Sequence, residues 1–159
     1  MRAFRLAYDG RPFHGFQRQP DVPTVEGALF DALDSLGVYE PQGTPPSAPP
    51  GYAAAGRTDA GVSALAQTVA FEAPDWLTPR ALDADLPRSV RAWASADVPA
   101  DFHATHDAAR REYTYHLHAP RADDDRAATV LGDLCGRHDF HNLTSDSSNT
   151  VRDLSGGVE

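Results

Sequence analysis

The order of strand-like and helix-like segments along the first hundred residues is the feature that most constrains the fold. Apolar and polar side chains alternate over residues 4–9 and Gly10 follows, which predicts a strand that ends there. Three further strands are predicted at 52–56, 66–73 and 89–98, where small apolar, β-branched or aromatic residues are bounded by turn-forming residues. The connections between these four strands then decide the topology.

Two helices are predicted between these strands. Thr24 is a suitable N-cap, an acidic residue lies in the first turn, and apolar residues recur at helical spacing from residue 25 to residue 36. Thr78 and Pro79 mark the start of a shorter helix within 78–86. The resulting order, β-α-β-β-α-β, is that of a ferredoxin-like arrangement. We therefore expect an α+β fold with an antiparallel sheet and its helices on one face.

The other segments are less regular. Five prolines between residues 38 and 51 predict a surface loop. Residues 111–119 (REYTYHLHA) predict a fifth strand with alternate tyrosines on one face. The last part of the chain predicts a helix over 126–140 and the beginning of a strand after residue 150.

The charged residues are unusual in type. All fourteen basic residues are arginine, eighteen of the twenty-three acidic residues are aspartate, and the net charge is −9. A dense aspartate surface without lysine indicates adaptation to a very salty cytoplasm, where charges are screened within about 3 Å at 1 M salt. The alternative is an acidic protein without a nucleic-acid partner, because nucleic-acid-binding proteins are usually basic. The sequence lacks the apolar runs of a secretion signal or a membrane span, so we expect a cytoplasmic protein with no membrane partner.

The hexapeptide GRTDAG, residues 56–61, is the strongest candidate for a functional site. Its glycines allow a sharp turn and a close ligand approach, and Arg57 and Asp59 are spaced to point the same way. A guanidinium within about 4–6 Å would favour the ionised carboxylate, an anion able to act as nucleophile or base. For an isolated motif, the alternative is a turn in which aspartate and glycine only supply turn geometry.

Two other segments combine aromatic and basic residues. Residues 8–20 interleave tyrosine, phenylalanine and histidine with arginine and glutamine, a mixture suited to stacking on bases and contacting phosphates. The alternative there is a polar loop whose aromatic residues pack inward. Residues 101–118 run from basic residues into the tyrosine-rich strand, and core packing is the alternative for those tyrosines.

Together these motifs resemble the TruA family of tRNA pseudouridine synthases. The similarity is carried, in chain order, by YDG, FHGFQRQ, TVEGAL, GRTDAGV, DFHA and REYTY, and it covers essentially the whole chain. The set is far more specific than any one of its members. The block from residue 53 to residue 82 resembles the form found in salt-loving archaea.

The resemblance implies an isomerase that converts uridine to pseudouridine at positions 38–40 of the tRNA anticodon stem-loop, without cofactor or metal. It implies that Asp59 is the essential catalytic carboxylate. Arg57 would hold the flipped nucleotide or fill the space that it leaves, and Tyr113 would stack on the uracil. Three routes stay open for Asp59: attack at the ribose, removal of a ribose proton, and addition to the uracil ring.

The resemblance also implies a pseudouridine synthase fold in two parts. Residues 1–100 would form the ferredoxin-like N-terminal subdomain that carries the catalytic loop, and residues 101–159 would begin a second subdomain. Family members are longer and form homodimers, so we expect this chain to lack the C-terminal part. A catalytically incomplete fragment that still binds RNA is therefore an alternative function. Ser63 stands where many family members have histidine, a change that we expect to be tolerated.

A metal site is a further alternative, because histidines recur at close spacing. The residues are His103, His106, His116, His118, His138 and His141. We expect no metal site, since no acidic residue or cysteine completes a ligand set with them and Cys135 has no CxxC partner.

Overall fold

Four strands form an antiparallel sheet in the computed structural model, which describes residues 1–43, 46–143 and 151–157. The strands are β1 (Arg2–Tyr8), β2 (Ala53–Ala54), β3 (Ala64–Phe71) and β4 (Val90–Asp97). Their order across the sheet is β2-β3-β1-β4, and each neighbouring pair is antiparallel. The expected α+β fold is confirmed.

Two helices complete the β-α-β-β-α-β order, α1 (Val25–Ser35) and α2 (Pro79–Asp83). Both expected N-caps are present. The Thr24 hydroxyl accepts a backbone N–H from the first turn of α1 at 3.1 Å, and Thr78 does the same for α2 at 3.2 Å. Gly37 follows α1 with φ of 67°, the left-handed conformation that commonly ends a helix.

The core lies between the two helices and one face of the sheet. Alternate residues of β1 point into it, and Phe4 stacks on Phe71 of β3 with ring centres 5.1 Å apart. The fully buried large side chains come from the strands, both helices and two loops: Phe4, Phe16, Phe71, Leu6, Leu29, Leu33, Leu77, Leu82, Val25, Val69 and Val90. Burial of each such side chain contributes about 1.5–3 kcal/mol to folding, so this core fixes the sheet on which the loops are mounted.

Two β-bulges lie at one end of the sheet. β3 places residues 65 and 66 opposite the single residue between Leu6 and Tyr8 of β1. On the other side of β1, β4 accommodates Trp93 as an extra residue. The indole N–H of Trp93 donates to the C=O of Leu65 at 3.1 Å, so the side chain of one bulge bonds to the backbone of the other. Bulges bend strands and are frequent next to active sites.

Residues 112–159 form a second compact unit, separate from residues 1–111. It contains α3 (Asp124–Leu134) and an antiparallel pair of strands, β5 (Gly136–Asp139) and β6 (Val151–Leu154). A short 3₁₀ helix, His141–Leu143, follows β5. The helix predicted over 126–140 is therefore right only in its first part, because the chain turns into β5 after Cys135. The division expected between residues 100 and 101 stays a prediction.

The fifth strand predicted at 111–119 is wrong, because this segment has no regular secondary structure. Its tyrosine and leucine side chains, which alternate as in a strand, are all exposed. Alternation supplies the side-chain pattern of a strand, but a strand also needs a neighbour for its backbone hydrogen bonds. None of the described strands pairs with this segment.

The proline-rich segment from 38 to 51 has neither helix nor strand where the structure describes it, and residues 44 and 45 lie outside the described part. Among the described helices, none has the length and apolar character needed to cross a membrane.

Candidate active site

Two loops meet at the bulged end of the sheet. The first, residues 9–24, leaves the end of β1, and the second, residues 55–63, joins β2 to β3. Because both neighbouring strand pairs are antiparallel, β1 and β2 end where β3 begins. The topology thus brings GRTDAG, in the second loop, against the aromatic and arginine-rich first loop.

Hydrogen bonds hold the hexapeptide at both ends and in the middle. The C=O of Gly56 accepts the side-chain amide of Gln67 at 2.6 Å. The C=O of Thr58 accepts the backbone N–H of Phe16 at 2.9 Å, and the N–H of Gly61 donates to a carbonyl of the first loop at 3.3 Å. The hexapeptide is therefore fixed to β3 and to the first loop.

Close approach between the two loops explains two glycines. A Cβ atom on Gly10 would lie 2.0 Å from the carbonyl oxygen of Val62, and the Gly10 N–H donates to Ser63 Oγ at 3.0 Å. Gly15 has φ of 102°, and a Cβ there would lie 3.1 Å from the carbonyl oxygen of Thr58. These glycines let one loop backbone lie against the other.

The three central residues of the hexapeptide differ in exposure. Arg57 and Asp59 are exposed, whereas Thr58 between them is half-buried. The Thr58 hydroxyl lies 2.8 Å from the hydroxyl of Tyr8, the last residue of β1. Burial raises the pKa of Tyr8, although its hydrogen bond to Thr58 opposes the rise. The loop thus presents both charged side chains to solvent while it is anchored by the residue between them.

Arg57 and Asp59 do not form a direct ion pair in the described part of the chain. Arg57 instead acts on Tyr52, whose pKa is raised well above its usual value by burial and by the negative charge of Glu26. The positive charge of Arg57 opposes that rise. Stabilisation of an ionised Asp59 by Arg57 stays a prediction.

Three aromatic residues at the end of β1 and in the first loop pack inward. Tyr8, Phe13 and Phe16 are between 0% and 7% exposed, so they are not available to stack on a base. The alternative of inward packing is therefore right for these three residues. His14 is exposed, and the Arg18 guanidinium lies 4.9 Å from the centre of an aromatic ring in α1.

A pocket of about 260 Å³ opens between the first loop and α1. Its lining is Phe13, Arg18, Gln19, Val22, Pro23, Thr24, Gly27, Ala28 and Asp31. Neither Arg57 nor Asp59 lines this pocket.

Tyr113, the third predicted site residue, lies in the second unit. Its side chain is 65% exposed, in the segment without regular structure. The structure thus brings Arg57 and Asp59 together in one loop and leaves the stacking role of Tyr113 as a prediction.

No three histidine, cysteine or acidic side chains come together in a metal-binding arrangement within the described residues. His103 and His106 do lie with ring centres 4.3 Å apart, as their spacing allows. The imidazole Nδ1 of His141 lies 3.4 Å from Oδ2 of Asp139.

Tyr8 and Gln67 anchor the hexapeptide, and the sequence motifs did not assign them this role. A usable signal existed for Gln67, because it continues the alternation of Val69 and Phe71 on the inward face of β3. A polar side chain on a buried face needs a hydrogen-bond partner, and Gln67 finds it in the hexapeptide.

Comparison with known proteins finds relatives that share one name. A protein named tRNA pseudouridine synthase A from Halobacterium salinarum is 61% identical over 160 residues, which cover 99% of this chain. Proteins of the same name from Natronomonas pharaonis and Methanosarcina barkeri are 64% and 43% identical over 98% and 96% of the chain. Over almost its whole length, the chain is similar to part of tRNA pseudouridine synthase A. No family model matches it.

These similarities confirm the resemblance that GRTDAG and the other motifs carry. The chain spans 58%, 57% and 56% of the lengths of these three relatives. Two of the three come from genera of salt-loving archaea, in agreement with the arginine-only, aspartate-rich composition.

Proposed function

We propose that this chain provides the catalytic loop of a cytoplasmic tRNA pseudouridine synthase that acts at positions 38–40 of the anticodon stem-loop. The observation that carries the proposal is the geometry of the hexapeptide. Asp59 is exposed on a loop that is anchored on both sides, beside an exposed Arg57. An anchored carboxylate open to solvent is accessible to a macromolecular substrate.

The reaction is an isomerisation and needs no second substrate. The bond between ribose C1′ and uracil N1 breaks, and a bond between C1′ and C5 forms. The proton that leaves C5 is balanced by a proton gained at N1, so atoms and charge are conserved. A single carboxylate can serve as nucleophile or base in such a sequence. In this proposal Asp59 is that carboxylate.

The substrate base must leave its stack before it can react. Flipping a nucleotide out of RNA costs a few kcal/mol, which protein contacts have to offset. We assign Arg57 to the flipped nucleotide or to the space that it leaves, because its side chain is exposed next to Asp59. Tyr113 is assigned to stacking on the uracil, since its exposed ring is free of core packing.

The net charge of −9 is compatible with an RNA substrate at high salt. Long-range repulsion is screened within about 3 Å at 1 M salt, so short-range contacts decide binding. We expect the RNA contacts to be direct hydrogen bonds and stacking rather than an extended basic surface, and the functional assembly to be a homodimer.

Release of tritium from tRNA labelled at uracil C5 tests the proposal directly, because each isomerisation frees the hydrogen of C5. The assay uses the chain in concentrated KCl. We expect release with the unmodified chain and none with Asp59→Ala or Asp59→Asn, because neither variant carries a carboxylate. Asp85→Ala, which removes another exposed aspartate, is the matched control and should retain activity.

Binding of the same RNA separates the proposal from its alternative. We expect Asp59→Ala to retain affinity within about threefold, because exposed loop charges contribute little at high salt. RNA binding by the unmodified chain without tritium release would favour a catalytically incomplete RNA-binding fragment. Tritium release by Asp59→Ala would contradict the assigned role of Asp59.

A further inference from the structure

Tyr8 links the core of the fold to the centre of the hexapeptide. It ends β1, its side chain is only 5% exposed, and its ring packs against Phe16 with ring centres 6.1 Å apart. Its hydroxyl reaches Thr58 Oγ1 at 2.8 Å. The rigid side chain of Tyr8 thus fixes the loop relative to the end of β1.

Thr58 is held at two points. Its side chain bonds to Tyr8, and its C=O accepts the N–H of Phe16 at 2.9 Å. Side-chain and carbonyl positions together fix the orientation of the peptide unit that leads into Asp59. The same restraint acts on Arg57, because it directly precedes Thr58.

We propose that Tyr8 is a positioning residue, which acts through Thr58 to hold the side chains of Arg57 and Asp59 in the geometry that the reaction needs. This inference rests on the proposed function. Tyr8 does not touch the substrate in this scheme. Its contribution is to restrict the orientations of Asp59 before RNA binds, so that less conformational freedom is lost in the reactive complex.

Two other tyrosines show that burial alone does not require a bonded hydroxyl here. Tyr39 and Tyr52 both have buried hydroxyl oxygens without a hydrogen-bond partner among the described residues. Both rings pack edge-on against Phe30. Tyr8 differs from them because its hydroxyl meets the hexapeptide. Tyr39→Phe is therefore a matched control, which removes a buried tyrosine hydroxyl that does not bond to the hexapeptide.

The test compares Tyr8→Phe, Thr58→Val, the double variant and Tyr39→Phe. Single-turnover tritium release at saturating tRNA measures the reaction, and the Kd for the same tRNA measures binding. We expect Tyr8→Phe and Thr58→Val each to slow release about 2- to 10-fold, the range for one net hydrogen bond, with Kd changed by less than about twofold. The double variant should be no slower than either single variant, because both remove the same bond.

Thr58→Ser keeps the hydroxyl and should retain the rate of the unmodified chain, and Tyr39→Phe should do the same. A merely structural Tyr8 would weaken binding or stability without the selective loss of rate. Unchanged release with Tyr8→Phe, or independent multiplication of the two effects in the double variant, would overturn the inference.

Hydrogen exchange at the Phe16 amide separates this inference from the proposed function. That amide bonds to the carbonyl of Thr58, so we expect Tyr8→Phe to accelerate its exchange about 2- to 10-fold, and Tyr39→Phe to leave it unchanged. If the unmodified chain releases no tritium, the proposed function fails, and the exchange rate still decides the anchoring. Unchanged exchange in Tyr8→Phe refutes the anchoring by Tyr8.

Discussion

Replacement of Gly10 by alanine tests the contact between the two loops most directly. The added methyl carbon would lie 2.0 Å from the carbonyl oxygen and 2.3 Å from the carbonyl carbon of Val62. Both are backbone atoms, so no side-chain rotation relieves the overlap. We expect the loops to separate by about 1 Å, since non-bonded heavy atoms need roughly 3 Å or more.

The cost follows from what that separation breaks. Overpacking in a close-packed region destabilises by about 1–3 kcal/mol. The N–H of Gly10 would also lose Ser63 Oγ, and the N–H of Gly61 would lose its carbonyl partner; each bond is worth about 0.5–1.5 kcal/mol net. We therefore expect the free energy of unfolding to fall by about 2–6 kcal/mol.

Urea titration in concentrated KCl, followed by circular dichroism, measures this change. Gly56→Ala is the control, because a Cβ at Gly56 meets no atom within 4 Å and its φ lies outside the left-handed region. Its free energy of unfolding should stay equal or rise by up to about 1 kcal/mol. A Gly10→Ala variant within about 0.5 kcal/mol of the unmodified chain would refute the close contact of the loops.

Two further outcomes follow from the fold. Burial raises the pKa of Tyr8, Tyr39 and Tyr52 above 10.0, so the unfolded chain loses protons that the folded chain keeps. The urea concentration at the unfolding midpoint should therefore stay constant below about pH 10 and fall above it. The fall should be less steep in Tyr52→Phe, which has one such tyrosine fewer. Thr24→Ala should lower the free energy of unfolding by about 1 kcal/mol through loss of the α1 cap, whereas Thr24→Ser should retain most of it; equal stability of the two would contradict the cap.

Local patterns predicted the local elements well. Thr24 and Thr78 cap the two helices as expected, and the alternation in β1 correctly separates buried from exposed residues. These features depend on neighbours within a few residues, which the sequence displays directly. The segment 111–119 has an equally clear alternation but pairs with none of the described strands, and pairing partners are distant in sequence.

The charged residues of the candidate site could be singled out from the sequence, whereas the contacts that anchor its loop could not. The sequence singles out Arg57 and Asp59 because charged residues between glycines are conspicuous. It does not indicate that Tyr8 reaches Thr58 across fifty positions, because that contact exists only once β1 and β3 are paired. The aromatic residues of the segment 8–20 were misleading for a related reason, since the rings of Tyr8, Phe13 and Phe16 are buried in the core instead of facing solvent.

The close crossing at Gly10 and Gly15 has a consequence for protein engineering. Residues 9–16 and 56–63 contact each other closely at both glycines and share backbone hydrogen bonds, so we expect them to be exchangeable only as a pair. In a chimera that takes only one of the two segments from a relative, the imported backbone would have to pack against a segment with which it did not evolve. Grafts that transfer both segments together keep that fit, and we expect them to succeed where single transfers fail.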